Sequence, residues 1–234
     1  LNIIAHIENA YQTKFGIPRQ SGLVTTLQSK IIFEPAYRNR DAFRGLEAYS
    51  HIWLLWQFSD AIRENWSPTV RPPRLGGNQR MGVFATRSPF RPNPIGLSVV
   101  QLHHIAWEEA AAPVLYVNGA DLMNGTPIYD IKPYLPHIDS HPEATGGFAL
   151  DVADYALQVV FPEIWLEKVP SHLREALCEI LAQDPRPSYQ HDAERVYGFC
   201  FAGLEIKFTV QDLVLTVCSV TPQDVVPDSK TERR

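Results

Sequence analysis

Thiols and long apolar runs are both scarce in this chain. The three cysteines, Cys178, Cys200 and Cys218, lie far apart, form no C-x-x-C pair and leave an odd thiol over, which argues against a disulfide framework and a zinc site. They read as buried thiols. No stretch reaches the roughly 18 consecutive apolar residues of a membrane helix, and the opening LNIIAHIENA lacks a basic segment leading into a long apolar run. A cytoplasmic protein is expected. Nucleotide fingerprints are missing as well: Gly76, Gly77 and Gly82 are out of register for G-x-G-x-x-G, and neither a P-loop nor a G-x-S-x-G elbow occurs. No metal is expected either. His137 and His141 stand four apart, but Pro136 and Pro142 disfavour the helix that would put them on one face. His103 and His104 are adjacent, so a regular strand would send them to opposite faces.

Acid is absent where base is concentrated. Residues 65–107 contain no Asp, Glu or Lys, yet Arg71, Arg74, Arg80, Arg87 and Arg91 occur there among Pro and Gly, in a chain of formal charge -5. Guanidinium without ammonium points to forked capture of phosphate or carboxylate rather than to a solvated basic face. The net charge counts against indiscriminate coating of nucleic acid, while a local patch of this kind can still engage one segment of RNA. Pairing with Glu8, Glu34 or Glu47 is the structural alternative for these arginines.

With 234 residues, 45% of them hydrophobic, the chain can bury one large core, or one core and a small appendage. Runs of β character at residues 2–7, 51–58, 81–85, 95–103, 114–117 and 128–131, each bounded by turn formers, predict a barrel or a sandwich. A helix is expected over 41–48, with Asp41 as its cap. Residues 133–147, PYLPHIDSHPEATGG, read as a linker. Beyond them come a strand at 155–161, a helix at 171–183 capped by Ser171 with Leu173, Leu177, Ile180 and Leu181 on one face, and a hairpin of 196–210 with 213–220. These predict a smaller α+β unit. Trp53, inside an apolar strand, reads as core, and Trp66, at a loop edge, as a base-stacking candidate.

Five ordered blocks carry a family resemblance: FGIPRQSGLV (15–24), RGLEAYSHIWLL (44–55), PTVRPPRLGGNQRMGVFATRSPFRPNPIGLSVVQL (68–102), DLMNGTPIYDIKPYLPHID (121–139) and LAQDPRPSY (181–189). Together they span nearly the whole chain, and in them it resembles the TrmO family, also called TsaA-like or YaeB-like. The resemblance implies a mainly β fold that is not a Rossmann methyltransferase. It would comprise a cofactor-binding β-barrel over residues 1–145 and a small C-terminal α+β domain over 146–234, in a homodimer. The implied activity is S-adenosylmethionine-dependent methylation of N6 of threonylcarbamoyladenosine (t6A) at position 37, in the anticodon loop of tRNA, giving m6t6A.

Carried over by position, the resemblance implies a cofactor pocket of Pro18, Arg19, Gln20, Ser59, Asp60, Arg87, Leu97, Asp121, Leu122, Met123 and Asn124. Arg19 or Arg87 suits the donor's carboxylate, Asp60 or Asp121 its ammonium or ribose hydroxyls, and Leu97 its adenine. Asp121, Asp130 or a backbone carbonyl would take the proton from N6. Arg87, Arg91 or Arg74 would meet the threonyl carboxylate, and Arg71, Arg80, Trp66, Tyr129 and Arg186 complete the substrate candidates. Two positions depart from the family pattern: Ser59–Asp60 stands where members carry His-Gln, and Asn124 where Asp is common. DPRPSY (184–189) is similar to the Asp-Pro-Pro-Tyr clamp of DNA adenine methyltransferases, but Arg186 breaks the spacing, and a helix stop signal explains its prolines equally well. An anion- or RNA-binding module without group transfer, and a small-molecule methyltransferase, are the alternatives.

Overall fold

A computed structural model describes residues 1–72, 79–148, 155–186, 192 and 194–223. The first sheet is assembled from β1 (Ala5–Glu8), β2 (Gln28–Phe33), β3 (His51–Gln57), β6 (Ile95–Ala106), β7 (Val114–Asn118) and β8 (Pro127–Pro133). They close into a barrel in the order β1-β2-β7-β6-β3-β8. Between β3 and β6 in sequence, within the arginine-rich segment, β4 (Thr69–Val70) pairs with β5 (Met81–Gly82) as a separate ribbon. Alternation explains the closure. In β3, Ile52, Leu54 and Trp56 are buried while the residues between them are half-exposed, and the inward rows of the other strands add Ile7, Ile31, Val100, Leu115, Val117 and Ile128 to the same core.

The C-terminal unit carries a sheet of order β10-β11-β12-β9, made of β9 (Gln158–Val160), β10 (Tyr197–Phe201), β11 (Leu204–Gln211) and β12 (Val214–Pro222). Helices α2 (Glu163–Leu166) and α3 (Arg174–Ala182) lie between β9 and β10 in sequence, and α3 buries Ala176, Leu177, Ile180 and Leu181. This second core is not built from C-terminal residues alone. Tyr11, Val24 and Leu27 are buried in it, so the long connection between β1 and β2 leaves the barrel and seals the other unit. Gly16 marks how close the two come: at φ +84, an added Cβ would lie 2.4 Å from the Phe199 ring.

Several local expectations are corrected. The helix expected over 41–48 is two 3-10 turns, Arg40–Phe43 and Leu46–Ala48, because Gly45 at φ 88 breaks it, and the first cap is Asn39, whose side chain accepts from the Asp41 amide. Residues 81–85 are a two-residue strand followed by a 3-10 turn, Val83–Ala85. The run 196–210 is split by a turn at Ala202 and Gly203, giving three strands where a hairpin was expected. Trp53 points outward and is half-buried, donating from Nε1 to Asp139 at 3.0 Å, since strand parity assigns the interior to its neighbours. His103 and His104 share one side because a bulge between Leu102 and His104 resets the alternation, bringing their Nδ1 atoms to 2.7 Å. A single helical turn, α1 (Pro136–Asp139), forms within the linker and ends before His141. Of the thiols, Cys178 and Cys200 are partly buried and Cys218 is exposed. No described helix is long and apolar enough to cross a membrane.

Candidate functional site

Asp121 stands where β7 turns back toward β8. Gly119, at φ 83, makes the turn, and its carbonyl accepts from the Gly22 amide at 2.9 Å, so the β1–β2 connection is fastened beside Asp121. The carboxylate is reached from inside the barrel as well. Trp56 Nε1 donates to Ser98 Oγ at 2.9 Å, and Ser98 Oγ donates to Asp121 Oδ1 at 2.5 Å. Burial pushes the Asp121 carboxyl above the usual carboxylate range, against the opposing pull of the Ser98 hydroxyl, of backbone amides including that of Ser21, and of the Arg87 guanidinium. A half-buried acid with raised affinity for a proton, within the field of an arginine, is an arrangement suited to proton transfer.

Arg87 approaches from the arginine-rich loop. Its Nη1 donates to Gln20 Oε1, joining that loop to the β1–β2 connection. The loop is braced by its own backbone: Thr86 Oγ1 donates to the Val83 carbonyl at 2.9 Å, and Arg91 Nη1 donates to the carbonyls of Thr86 at 2.8 Å and Ser88 at 3.4 Å. Among the described residues, Arg71, Arg80, Arg87 and Arg91 enter no ion pair, so pairing with Glu8, Glu34 or Glu47 does not account for them. Gln20, Arg87 and Asp121 thus converge from three separate loops.

Gly96 shapes the hydrogen-bonded chain behind Asp121. A Cβ there would lie 2.2 Å from the Trp56 indole, so the ring lies flat against a strand without a side chain. Gly96→Ala is therefore expected to displace Trp56 and with it the Ser98–Asp121 contact, lowering turnover at least tenfold (about 1.4 kcal/mol in the barrier) with a smaller loss of thermal stability. Initial rates and a melting curve on the same preparation check this. Parental turnover would show that the chain Trp56–Ser98–Asp121 does not matter.

Comparison with known proteins identifies the family. A family model described as the tRNA-methyltransferase O N-terminal domain matches residues 6–140, and the TrmO C-terminal domain matches residues 155–223. The chain belongs to the TrmO family. It is 41% identical over 228 residues to the tRNA (adenine(37)-N6)-methyltransferase of Escherichia coli K12, covering 94% of this chain and 97% of that one. A crystal structure of TrmO from Pseudomonas aeruginosa superposes with a TM-score of 0.76 at 31% identity, covering 94% of this chain and 98% of that one. A "Probable S-adenosyl-L-methionine-binding protein" of Methanothermobacter thermautotrophicus is 37% identical over 134 residues, 57% of this chain and 88% of its own length.

The remaining positions carried over from the TrmO pattern fall into distinct places. Pro18 and Arg19 line a cavity of about 280 Å³ between residues 14–19 and residues 180–186, and Arg19 Nη2 donates to the Asp184 carbonyl at 3.1 Å. Arg19 therefore faces the C-terminal unit, whereas Gln20 faces Arg87. Asp60 pairs with Lys14 at 3.5 Å, which ties the Ser59–Asp60 departure to that same β1–β2 connection. Ser59 Oγ donates to the Gln57 carbonyl at 3.4 Å. Asn124 Oδ1 accepts from the Asn9 amide at 3.0 Å, a role that an Asp carboxylate at this position can also fill. Leu122 is fully buried in the barrel core, Met123 is partly buried, and Leu97 is 56% exposed on the outer face of β6.

Asp130 also faces outward, where it pairs with Lys132 at 2.8 Å and accepts from the Ile131 amide at 2.9 Å. Tyr129 sits at the register shift between β3 and β8. Arg186 is buried, and its Nε and Nη2 donate to the two oxygens of Asp184 at 2.8 and 2.9 Å. Arg74 lies outside the described residues. Ser98 and Trp56 are not among the residues expected from sequence; the signal for Ser98 is a polar residue at an inward position of an otherwise apolar row.

Proposed function

We propose that this protein methylates N6 of t6A at position 37, in the anticodon loop of tRNA, using S-adenosylmethionine, and that it works as a cytoplasmic homodimer. Membership of the TrmO family and the names of its relatives support the enzyme class, the tRNA substrate and the methyl donor. The observation that carries the assignment to a site is the meeting of Arg87, Gln20 and Asp121 at one end of the barrel. In this reading the division at residues 145/146 separates a cofactor-binding unit from a smaller one that braces its Pro18–Gln20 loop.

The donor set fits S-adenosylmethionine, which carries an anionic carboxylate and cationic ammonium and sulfonium groups. Arg87, with Gln20 beside it, would hold the carboxylate, and the exposed side chain of Leu97 offers apolar surface for the adenine. When bound, the donor supplies a methyl group already activated on sulfonium, so the protein contributes chiefly position. Asp121 takes the proton that N6 releases. Its raised affinity for that proton favours it over Asp130, whose carboxylate is paired with Lys132 at 2.8 Å.

The test is equilibrium binding of radiolabelled S-adenosylmethionine. Arg87→Ala is expected to weaken binding by about tenfold or more, as loss of a charge-assisted contact does, while melting at the parental temperature because Arg87 is exposed. Parental affinity in Arg87→Ala would remove Arg87 from the site. In cells lacking the gene, m6t6A should vanish from bulk tRNA nucleosides and t6A should persist.

A further inference from the structure

The arginine-rich loop bears an aromatic surface that the cofactor site does not use. The β4–β5 ribbon pairs Thr69 with Gly82 and Val70 with Met81, and the Val83 amide donates to the Pro68 carbonyl at 2.9 Å. This pairing brings the residues just before β4 against those just after β5. Trp66 and Phe84 consequently meet, with ring centroids 6.0 Å apart. In the Val83–Ala85 turn the Val83 side chain is buried as the anchor, which throws its neighbour Phe84 outward until 73% of it is exposed. Trp66 is 50% exposed and Phe90 39%. Arginines flank the rings: the Arg63 guanidinium lies 4.0 Å from the Phe90 centroid and that of Arg91 lies 6.0 Å from Phe84.

Exposed Phe and Trp side chains gathered in one place mark a surface that expects a partner. Charge selects which. No side chain of residues 65–107, which are bounded by Glu64 and Glu108, is a carboxylate, so this segment combines π faces with guanidinium. A second copy of the chain docking through the same patch about a two-fold axis would set these arginines against themselves. Unpaired nucleotides satisfy both features, with bases stacking on the rings and phosphates meeting the guanidinium groups. Phe84 and Arg87, which bonds Gln20, stand three residues apart on the same short loop, so the aromatic surface and the site share one segment.

We propose that Trp66 and Phe84, with Arg91 beside Phe84, form a stacking platform for an unpaired RNA base next to the adenosine that is methylated. This rests on the functional reading above and adds to it the place where the RNA loop is gripped. The platform explains how a target base could be held out of its stack without a pocket for every neighbour, because stacking tolerates any base identity.

Fluorescence anisotropy in the absence of methyl donor tests it, using a labelled RNA hairpin with t6A in its unpaired loop and a fully paired duplex of equal length. The parent should prefer the hairpin. Phe84→Ala and Trp66→Ala should each weaken hairpin binding about tenfold and erase the preference over duplex, while Phe84→Tyr retains it and S-adenosylmethionine affinity stays parental in all three. Both side chains are exposed, so the variants are expected to fold. Parental hairpin affinity in the alanine variants would overturn the platform. So would a change in sedimentation with RNA affinity intact, which would make the patch a contact between copies. Failure of the functional reading registers separately, as absence of methyl transfer by a parent protein that still binds the hairpin.

Discussion

Asp121→Asn is expected to lower turnover by about 10²–10⁴-fold, the usual contribution of a positioned proton acceptor, while thermal stability at neutral pH stays level or rises. Asn keeps an oxygen that can accept from Ser98, so the chain from Trp56 persists, but it cannot take a proton from N6. The stability side follows from the direction of the titration. Burial raises the Asp121 carboxyl above its unfolded value, so the folded state binds this proton more tightly than the unfolded chain does. The contribution of Asp121 is then full below the ordinary carboxylate value and is lost as pH rises through its raised folded value. At neutral pH the buried charge is a net burden that Asn removes. Initial rates at neutral pH, with melting curves at about pH 4, where the window opens at the ordinary carboxylate value, and at about pH 8, check both halves. Inactivity joined to a collapse in melting temperature would make Asp121 a structural residue.

Arg186→Met is expected to destabilise the protein by about 3–5 kcal/mol, the range found when one member of a buried ion pair is removed. Asp184 and Arg186 are 6% and 8% exposed, and the pair is doubly bonded through Nε and Nη2. The Tyr155 hydroxyl at 2.8 Å and the Arg186 backbone amide at 3.3 Å also donate to the Asp184 carboxylate. Burial alone would raise the Asp184 carboxyl, but hydrogen bonds from Arg186 and Tyr155 bring it below the usual carboxylate range. With that sign, Asp184 contributes stability above the ordinary carboxylate value, and the contribution disappears as pH falls through its lower folded value. Unfolding midpoints in denaturant should therefore drop between about pH 5 and pH 3 in the parent, and less steeply in Asp184→Asn.

The same pair has a consequence for the site. The Asp184 carbonyl receives Arg19, and the Asp184 backbone is held at φ 53, a conformation uncommon outside glycine. Loss of the ion pair should loosen Arg19 and the adjacent Gln20, so Arg186→Met should also weaken S-adenosylmethionine binding at temperatures where the variant remains folded. Binding at parental strength would show that the C-terminal unit does not brace the cofactor loop.

Strand parity made much of the barrel legible. In HIWLLWQ the alternation of Ile52, Leu54 and Trp56 fixes which side is interior, and the same rule reads β6 and β7. QSKIIF in β2 is not legible in the sequence, because Gln28 and Lys30 face outward beside a long irregular connection and leave too little apolar signal. Gly45, the Ala202–Gly203 turn and the His103 bulge altered elements through single backbone conformations that the surrounding pattern does not announce. The site divides similarly. Arg87, Gln20 and Asp121 could be named because guanidinium and carboxylate declare their chemistry in any context. Ser98 and Gly96 could not, since their importance comes from contacts across strands: Ser98 with Asp121, and Gly96 with the face of Trp56. The prolines around Asp184 and Arg186 fit a stop signal and a functional clamp equally well, while their ion pair needs the fold to bury it.

The most direct measurement gives purified protein S-adenosylmethionine with an isotopically labelled methyl group, together with tRNA that carries t6A and with the same tRNA lacking it. After digestion to nucleosides, mass spectrometry should find the label on N6 of t6A and none on unmodified adenosine, with transfer abolished in Asp121→Asn. Label absent from t6A, or present equally on tRNA without it, would contradict the account.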